Sequence, residues 1–335
     1  MRIVVMGTGP FAVPMFQSLL ESPHEVLALI TRPTPPPKGR EKTPPNPMRE
    51  LAERRGLPIQ APESINSAEG RLLLAQAAPD LLVVCDYGQI LAADILAIAP
   101  LGGINLHASL LPKYRGAAPI QWCLLNGDQQ TGVTVIHMTP RLDGGPILAV
   151  RSTPIGANEE HPQLEQRLAI LGMEAVHEAL AALERWDRTS TIGSLQDTTQ
   201  ATKAPRLKKE QGAIDWTKPA ESIRNQIRAL KPWPGTFTFW QRSGQDPLRL
   251  VIDQAHVIDD THLVENTTTE MSPGHVITSD GKQIVIATGH GFLALDSIAP
   301  AGKRHMTVAE FLRGYRVQAG DRFGSPIQST LPPNN

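Results

Sequence analysis

The sequence predicts an α/β protein, and three patterns carry that expectation. Short β-rich runs alternate with helical stretches through about residue 150, a glycine turn joins the first strand to the first helix, and closely spaced strands dominate after residue 206. The first two patterns describe a doubly wound, mostly parallel sheet. The third describes a smaller β-barrel. RIVVMGTGPFAVPMFQSLLES reads as buried strand, turn and helix, and HEVLALITRP as a strand stopping before Pro33, which cannot donate to a ladder. DLLVVCDYG, GGINLHAS and TGVTVIHM supply further strands, separated by the helical patterns SAEGRLLLAQAA and APIQWCLLNG. HPQLEQRLAILGMEAVHEALAALER spaces leucine and alanine as a long helix does when it packs on a sheet. DRTSTIGSLQDTTQATKAPR is rich in Thr, Ser, Gln and Asp, shows no period, and is expected to be a linker. The helix PAESIRNQIRAL then leads to GTFTFWQR, LRLVIDQAHVI, GHVITSDGKQIVIATG and GFLALDSIA, with SDGK and TGHG as turns. The expected organisation is one domain at 1–187, a linker at 188–206, a barrel at 207–330 and a disordered tail at 331–335.

Composition narrows the function. With 335 residues, 41% of them hydrophobic, the chain can bury a sizeable core without staples. A formal net charge of -1 gives no global pull toward nucleic acid or membrane, so an anionic partner has to be held by local basic segments. Cys85 and Cys123 match neither a metal-site spacing nor a disulfide framework, which fits a reducing cytoplasm. No apolar run reaches membrane-spanning length and no charged leader precedes a cleavage site, so a soluble, unprocessed chain is expected.

Gly7, Gly9 and Ala12 spell G-x-G-x-x-A directly after a strand, a loose dinucleotide fingerprint. Arg32 stands where an acidic residue usually meets a ribose, and Pro10 removes a backbone N–H that would face a pyrophosphate. The glycines are therefore read as permitting a tight strand-to-helix turn. An NADP-dependent oxidoreductase using this turn and Arg32 is kept as an alternative class.

The stretch INLHASLLPKYRGAAPIQ is more informative. In an extended strand Asn105 and His107 point to the same side, at the end where open α/β sheets place their chemistry. TPRLDGGPIL supplies Asp143 from a loop after the next strand, expected to meet His107 at the same edge. A carboxylate beside an imidazole favours its protonated form and orients it. An asparagine amide donates to an oxygen that gains charge during acyl transfer. The other histidines, such as His24, His161, His256 and His305, sit in polar or turn-like contexts and read as surface residues. There is no H-E-x-x-H, paired C-x-x-C or G-x-S-x-G to direct the chemistry elsewhere.

NLHASLLPKYRGAAPIQWCLLNGDQQTGVTVIHMTPRLDGGPIL closely resembles the folate-dependent formyltransferases, in particular those that act on methionyl-tRNA. The resemblance extends through VVMGTGPFAVP, DYGQIL, KEQGAIDW, KPWP and PAGKRHM, nearly the whole chain. It implies a Rossmann-like sheet followed by an OB-like barrel, acting as a monomer. It also implies transfer of a formyl group from 10-formyltetrahydrofolate, without a metal, to the amino group of initiator methionyl-tRNA for translation initiation. Asn105, His107 and Asp143 fall on the family's catalytic positions. Ser109, Leu110, Leu111 and Pro112 would lie against the folate, with Tyr87, Gly88 and Ile90 beside them. Asp86 departs from the family, which usually has an apolar or small residue there.

Two basic regions suit the implied RNA. Residues 33–49, PTPPPKGREKTPPNPMR, hold seven prolines and four basic residues against one acid, too proline-rich for a helix or central strand. In the resembling family a basic loop here reaches the tRNA acceptor end, and Lys38, Arg40 and Lys42 match its charged core. Residues 203–249 carry ten Lys or Arg against four Asp or Glu, including Lys203 and Lys208, with Arg224, Arg228 and Lys231 at helical spacing. Rival acceptors are an amino sugar nucleotide or glycinamide ribonucleotide. A tRNA-binding module without catalysis is a further alternative.

Overall fold

Strands covered on both faces show unbroken apolar runs rather than alternation, and such runs set the centre of the first sheet. The computed structural model describes residues 1–36, 44–242, 245–258 and 272–325. They form two units. The first comprises Met1–Cys123, Gln129–Ala157 and Gln163–Arg206, and the second Leu124–Asp128, Asn158–Pro162 and the chain from Leu207. Through residue 206 the elements are β1 (Arg2–Gly7), α1 (Val13–Leu20), β2 (Glu25–Ile30), α2 (Pro47–Arg54), β3 (Ile59–Gln60), α3 (Ala68–Ala77), β4 (Leu81–Cys85), α4 (Ala93–Leu96), β5 (Gly103–His107), β6 (Arg115–Gly116), α5 (Pro119–Leu125), β7 (Gln130–His137), β8 (Ile147–Pro154), α6 (His161–Glu184) and β9 (Lys203–Ala204).

The large sheet has the order β3-β2-β1-β4-β5-β7-β8. β1 through β5 pair in parallel, as expected, with β1 and β4 as its buried central strands. The order reverses direction between β1 and β4, so the crevice beyond their carboxyl ends is the natural ligand position for such a sheet. Asn46 and Ser67 cap α2 and α3 by accepting from Arg49 and Gly70 N–H, each worth about 1 kcal/mol. Cys85 and Cys123 are both buried and are not joined in a disulfide.

One feature departs from the sequence reading. β7 is antiparallel to β5 and is followed by β8, a strand not anticipated after the TPRLDGGPIL loop. The stretch expected to be a linker lies along the first unit: Ser194 bridges Ile147, and β9 pairs in parallel with β6. Its hydrogen bonds go to loops and a two-residue strand, which explains why it carries no period.

The second unit contains α7 (Ala220–Ala229), β10 (Thr236–Gln241), β11 (Leu248–Ile258), β12 (Val276–Ser279), β13 (Ile284–Ala287), β14 (Phe292–Pro300), β15 (Met306–Thr307), α8 (Val308–Gly314) and β16 (Arg322–Gly324). Its antiparallel sheet runs β12-β13-β14-β11-β10-β16. The ends meet: Val276 N–H donates to Asp321 O at 2.8 Å and Phe323 N–H to Gly274 O at 2.7 Å, nearly closing the barrel. Along β10 the threonines and Trp240 face inward, while Phe237 and Phe239 are half-buried outside. Thr238 Oγ1 accepts from buried Trp216 Nε1 at 3.0 Å, so the inward hydroxyl is satisfied. The basic stripe on and after α7 is engaged by partners within this unit. Arg224 pairs with Glu221, buried Arg228 bonds Asn225 and the Glu159 carbonyl, and Lys231 meets Glu160 at 2.6 Å and Asp253 at 3.3 Å.

Candidate active site

β5 ends the parallel part of the sheet with Asn105 and His107 on one face. His107 and Asp143 are only 6% and 8% exposed, and His107 Nδ1 lies 3.8 Å from Asp143 Oδ1. The route that joins them differs from simple neighbouring strand ends. Because β7 is antiparallel, its last residue, His137, pairs with Ile104 at the start of β5. The loop after β7 therefore turns back along β5 to bring Asp143 to His107.

His107 Nε2 lies 2.8 Å from the Tyr114 carbonyl, which can only accept, so Nε2 carries a proton. The exchangeable nitrogen is then Nδ1, on the side of Asp143. Asp143 Oδ2 accepts from Gly116 N–H at 2.8 Å, leaving Oδ1 to face the imidazole. Gly116 has φ +132, and a Cβ there would stand 2.4 Å from the Ala204 carbonyl, so the close approach of this donor strand to β9 requires glycine. The amide of Asn105 is half-buried and has no hydrogen-bonding partner among the described residues. A free amide donor, an imidazole with one exchangeable nitrogen and an anchored carboxylate are the parts needed to stabilise an oxyanion and move a proton.

The residues expected near a folate are placed unequally. Ser109 is fully buried and its Oγ donates to Lys113 O at 2.7 Å, closing the loop. Thr134 Oγ1 donates to Ser109 O at 2.7 Å and accepts from Leu111 N–H at 3.1 Å, tying that loop to β7. Leu111 is buried, whereas Leu110 and Pro112 are half-buried. Tyr87 packs into the core with Ile30, Ile65 and Leu91, and its hydroxyl, without a hydrogen-bond partner among the described residues, is pushed up to about 12 by burial. Gly88 stands at φ +78 with its carbonyl 3.5 Å from Arg32 Nη2. Ile90 is 61% exposed and Leu142, beside Asp143, 54%, large apolar side chains on the loops after β4 and β7.

Asp86 fills the glycine turn from inside. A Cβ on Gly9 would lie 1.7 Å from Asp86 Oδ2, so the carboxylate sits against the turn. Asp86 is an exposed residue, yet desolvation by its neighbours pushes its carboxyl up to about 6, against the pull of Arg32 and the Gly9 backbone. Glu165 on α6 is raised by its own burial and then by Asp86.

Lys38, Arg40 and Lys42 lie outside the described residues. Lys203 is exposed on β9 and Lys208 is exposed in the second unit. Among the described residues, no group of three or more His, Cys, Asp or Glu is arranged to hold a metal ion. Sequence reading missed Tyr114, Gly116, Gln196 and Thr202. They act through backbone groups, an amide or a hydroxyl in segments without periodicity, so no pattern marks them.

Residues 1–180 match the formyl transferase family and residues 206–316 the formyl transferase C-terminal domain. A methionyl-tRNA formyltransferase of Rhodopirellula baltica is 44% identical over 334 residues, covering 97% of each chain. That of Trichlorobacter lovleyi is 41% identical over 95% of this chain and 96% of its own. The solved N-formyltransferase from Helicobacter canadensis, in complex with folinic acid and dTDP-3-aminofucose, superposes with a TM-score of 0.61 at 16% identity, covering 88% of this chain and 97% of its own. HypX from Aquifex aeolicus in complex with tetrahydrofolic acid gives 0.57 at 16% identity, over 93% of this chain and 47% of its own. At those identities the solved structures speak for the fold alone. Matches to both domains, together with 44% identity along nearly the full chain, show that the chain belongs to the formyl transferase family, among its methionyl-tRNA formyltransferases.

Proposed function

We propose that this chain transfers the formyl group of 10-formyltetrahydrofolate to the α-amino group of initiator methionyl-tRNA, as a cytoplasmic monomer. Residues 1–187 hold the reaction, residues 207–330 form a tRNA-binding barrel, and residues 188–206 join them. The observation that carries the catalytic reading is the His107 geometry: Nε2 held by the Tyr114 carbonyl, and Nδ1 3.8 Å from an anchored Asp143.

An α-amino group has a pKa near ~8, so a good fraction is neutral and nucleophilic near neutral pH without a strong base. Attack on the formyl carbon forms the new C–N bond and leaves an oxyanion. Asn105 and protonated His107 Nδ1 donate to it, each donor worth about 3 to 4 kcal/mol. Collapse breaks the bond to the folate nitrogen, which takes the Nδ1 proton of His107; the imidazole, neutral at Nδ1, then takes the proton left on the newly formed amide nitrogen, and Asp143 stabilises the imidazolium so restored. Leu110, Leu111 and Pro112 with Ile90 offer the apolar contact for the donor, with Ser109 holding their loop, and the backbone of Tyr87 and Gly88 offers polar groups. Lys38, Arg40 and Lys42 take the acceptor end of the tRNA, with Lys203 and Lys208 contributing positive charge.

The Asp86 carboxylate argues against the oxidoreductase alternative, because it fills the space beside Gly9 and would repel a pyrophosphate there. The test is incubation with methionyl-tRNA and labelled formyl donor, with free methionine, an amino sugar nucleotide and glycinamide ribonucleotide in parallel. Label in the aminoacyl ester alone is expected. Preferential label in either small amine would overturn the acceptor assignment.

A further inference from the structure

Two residues that build the site stand in left-handed backbone conformations without being glycine: Tyr114 at φ 65 and Asp143 at φ 48. Such conformations persist only where the surroundings over-determine them. Both are held from one segment. Tyr114 N–H donates to Thr202 Oγ1 at 3.0 Å and Arg115 N–H to Thr202 O at 2.9 Å. Gln196 Nε2 donates to Asp143 O and to Gly145 O, each at 2.8 Å. Gln196 Oε1 accepts from Arg115 Nε at 3.2 Å and Nη2 at 2.6 Å.

The carboxamide thus uses both N–H bonds on the loop that carries Asp143 and its oxygen on the loop that carries Tyr114 and Gly116. Those are the residues whose carbonyl holds His107 and whose N–H holds the Asp143 carboxylate. We infer that Gln196 is a positioning residue for formyl transfer, fixing the separation of His107 and Asp143 by clamping their two loops together. It touches neither the reacting carbon nor the imidazole, and the inference rests on the catalytic reading of that pair. A misplacement of reacting groups by ~1 Å can cost about 100-fold in rate, whereas substrate binding made elsewhere is unaffected.

The test compares Gln196→Ala, Gln196→Glu, Asp143→Asn and the Gln196→Ala/Asp143→Asn pair, with thermal unfolding of each. Gln196→Glu keeps the acceptor for Arg115 but faces two carbonyls without N–H donors. Both Gln196 variants are expected to stay folded and to lose kcat by about 30- to 100-fold, with KM for methionyl-tRNA and for the folate donor within about twofold. In the pair, the Gln196 change should add less than about threefold to the loss from Asp143→Asn. Wild-type kcat in either Gln196 variant, or losses that multiply in the pair, would overturn the inference alone. Wild-type kcat in Asp143→Asn would sink the catalytic reading and this inference with it.

Discussion

The ends of β1 and β5 are both marked by eye-catching residues, glycines at one and an Asn-x-His pair at the other, yet their chemistry differs. At β1 the space beside Gly9 is filled by the chain's own Asp86 carboxylate. At β5 the Asn105 amide has no partner among the described residues, and His107 keeps one nitrogen for exchange. A motif describes backbone shape, whereas open space and available donors decide which crevice does chemistry.

The largest effect that tests this contrast is at β5. His107→Ala or Asp143→Ala is expected to lower kcat for formyl transfer by about 1,000-fold or more with circular dichroism unchanged. Near-normal turnover in either would erase the distinction between the crevices. Asn105→Ala should cost about 100-fold in kcat, with the loss seen equally in kcat/KM because the donor acts on the transition state. Loss confined to KM would make it a binding group instead.

The β1 side gives smaller effects, on stability. Gly9→Ala, at φ -85 and therefore unstrained in backbone, collides with Asp86. It should destabilise by about 1 to 3 kcal/mol in urea unfolding. Adding Asp86→Ala should recover most of that, and no recovery would mean that the carboxylate is not what fills the turn. The smallest effect is pH-dependent. The folded Asp86 pKa, raised to about 6 from 3.8, favours the protonated form, so its contribution is complete below about pH 4 and lost as pH rises through 6. Solvent access screens it to less than about 1 kcal/mol. Asp86→Asn should therefore gain stability relative to the parent between about pH 4 and 7, and a constant difference would refute the shift.

How legible each part was follows from the range of the interaction that forms it. The unbroken apolar runs of β1 and β4, and the shared face of Asn105 and His107, need only the local geometry of a strand. The approach of Asp143 was foreseen but its path was not, because strand direction at β7 depends on pairing that a β-rich run does not encode. Gln196 and Thr202 were invisible for a related reason: they pair with loop groups distant in sequence, where neither period two nor period 3.6 applies. Arg228 shows the converse error, since helical spacing exposed it on paper while Asn225 and Glu159 hold it inside the unit.

The short strand β16 borders β10 on one side and receives bonds from the approach to β12 on the other. Its few residues thereby remove two open ladder margins at once. A chain truncated just before Arg322 would present both margins bare, the arrangement through which sheets recruit foreign strands, so self-association rather than simple loosening is the consequence built into that closure.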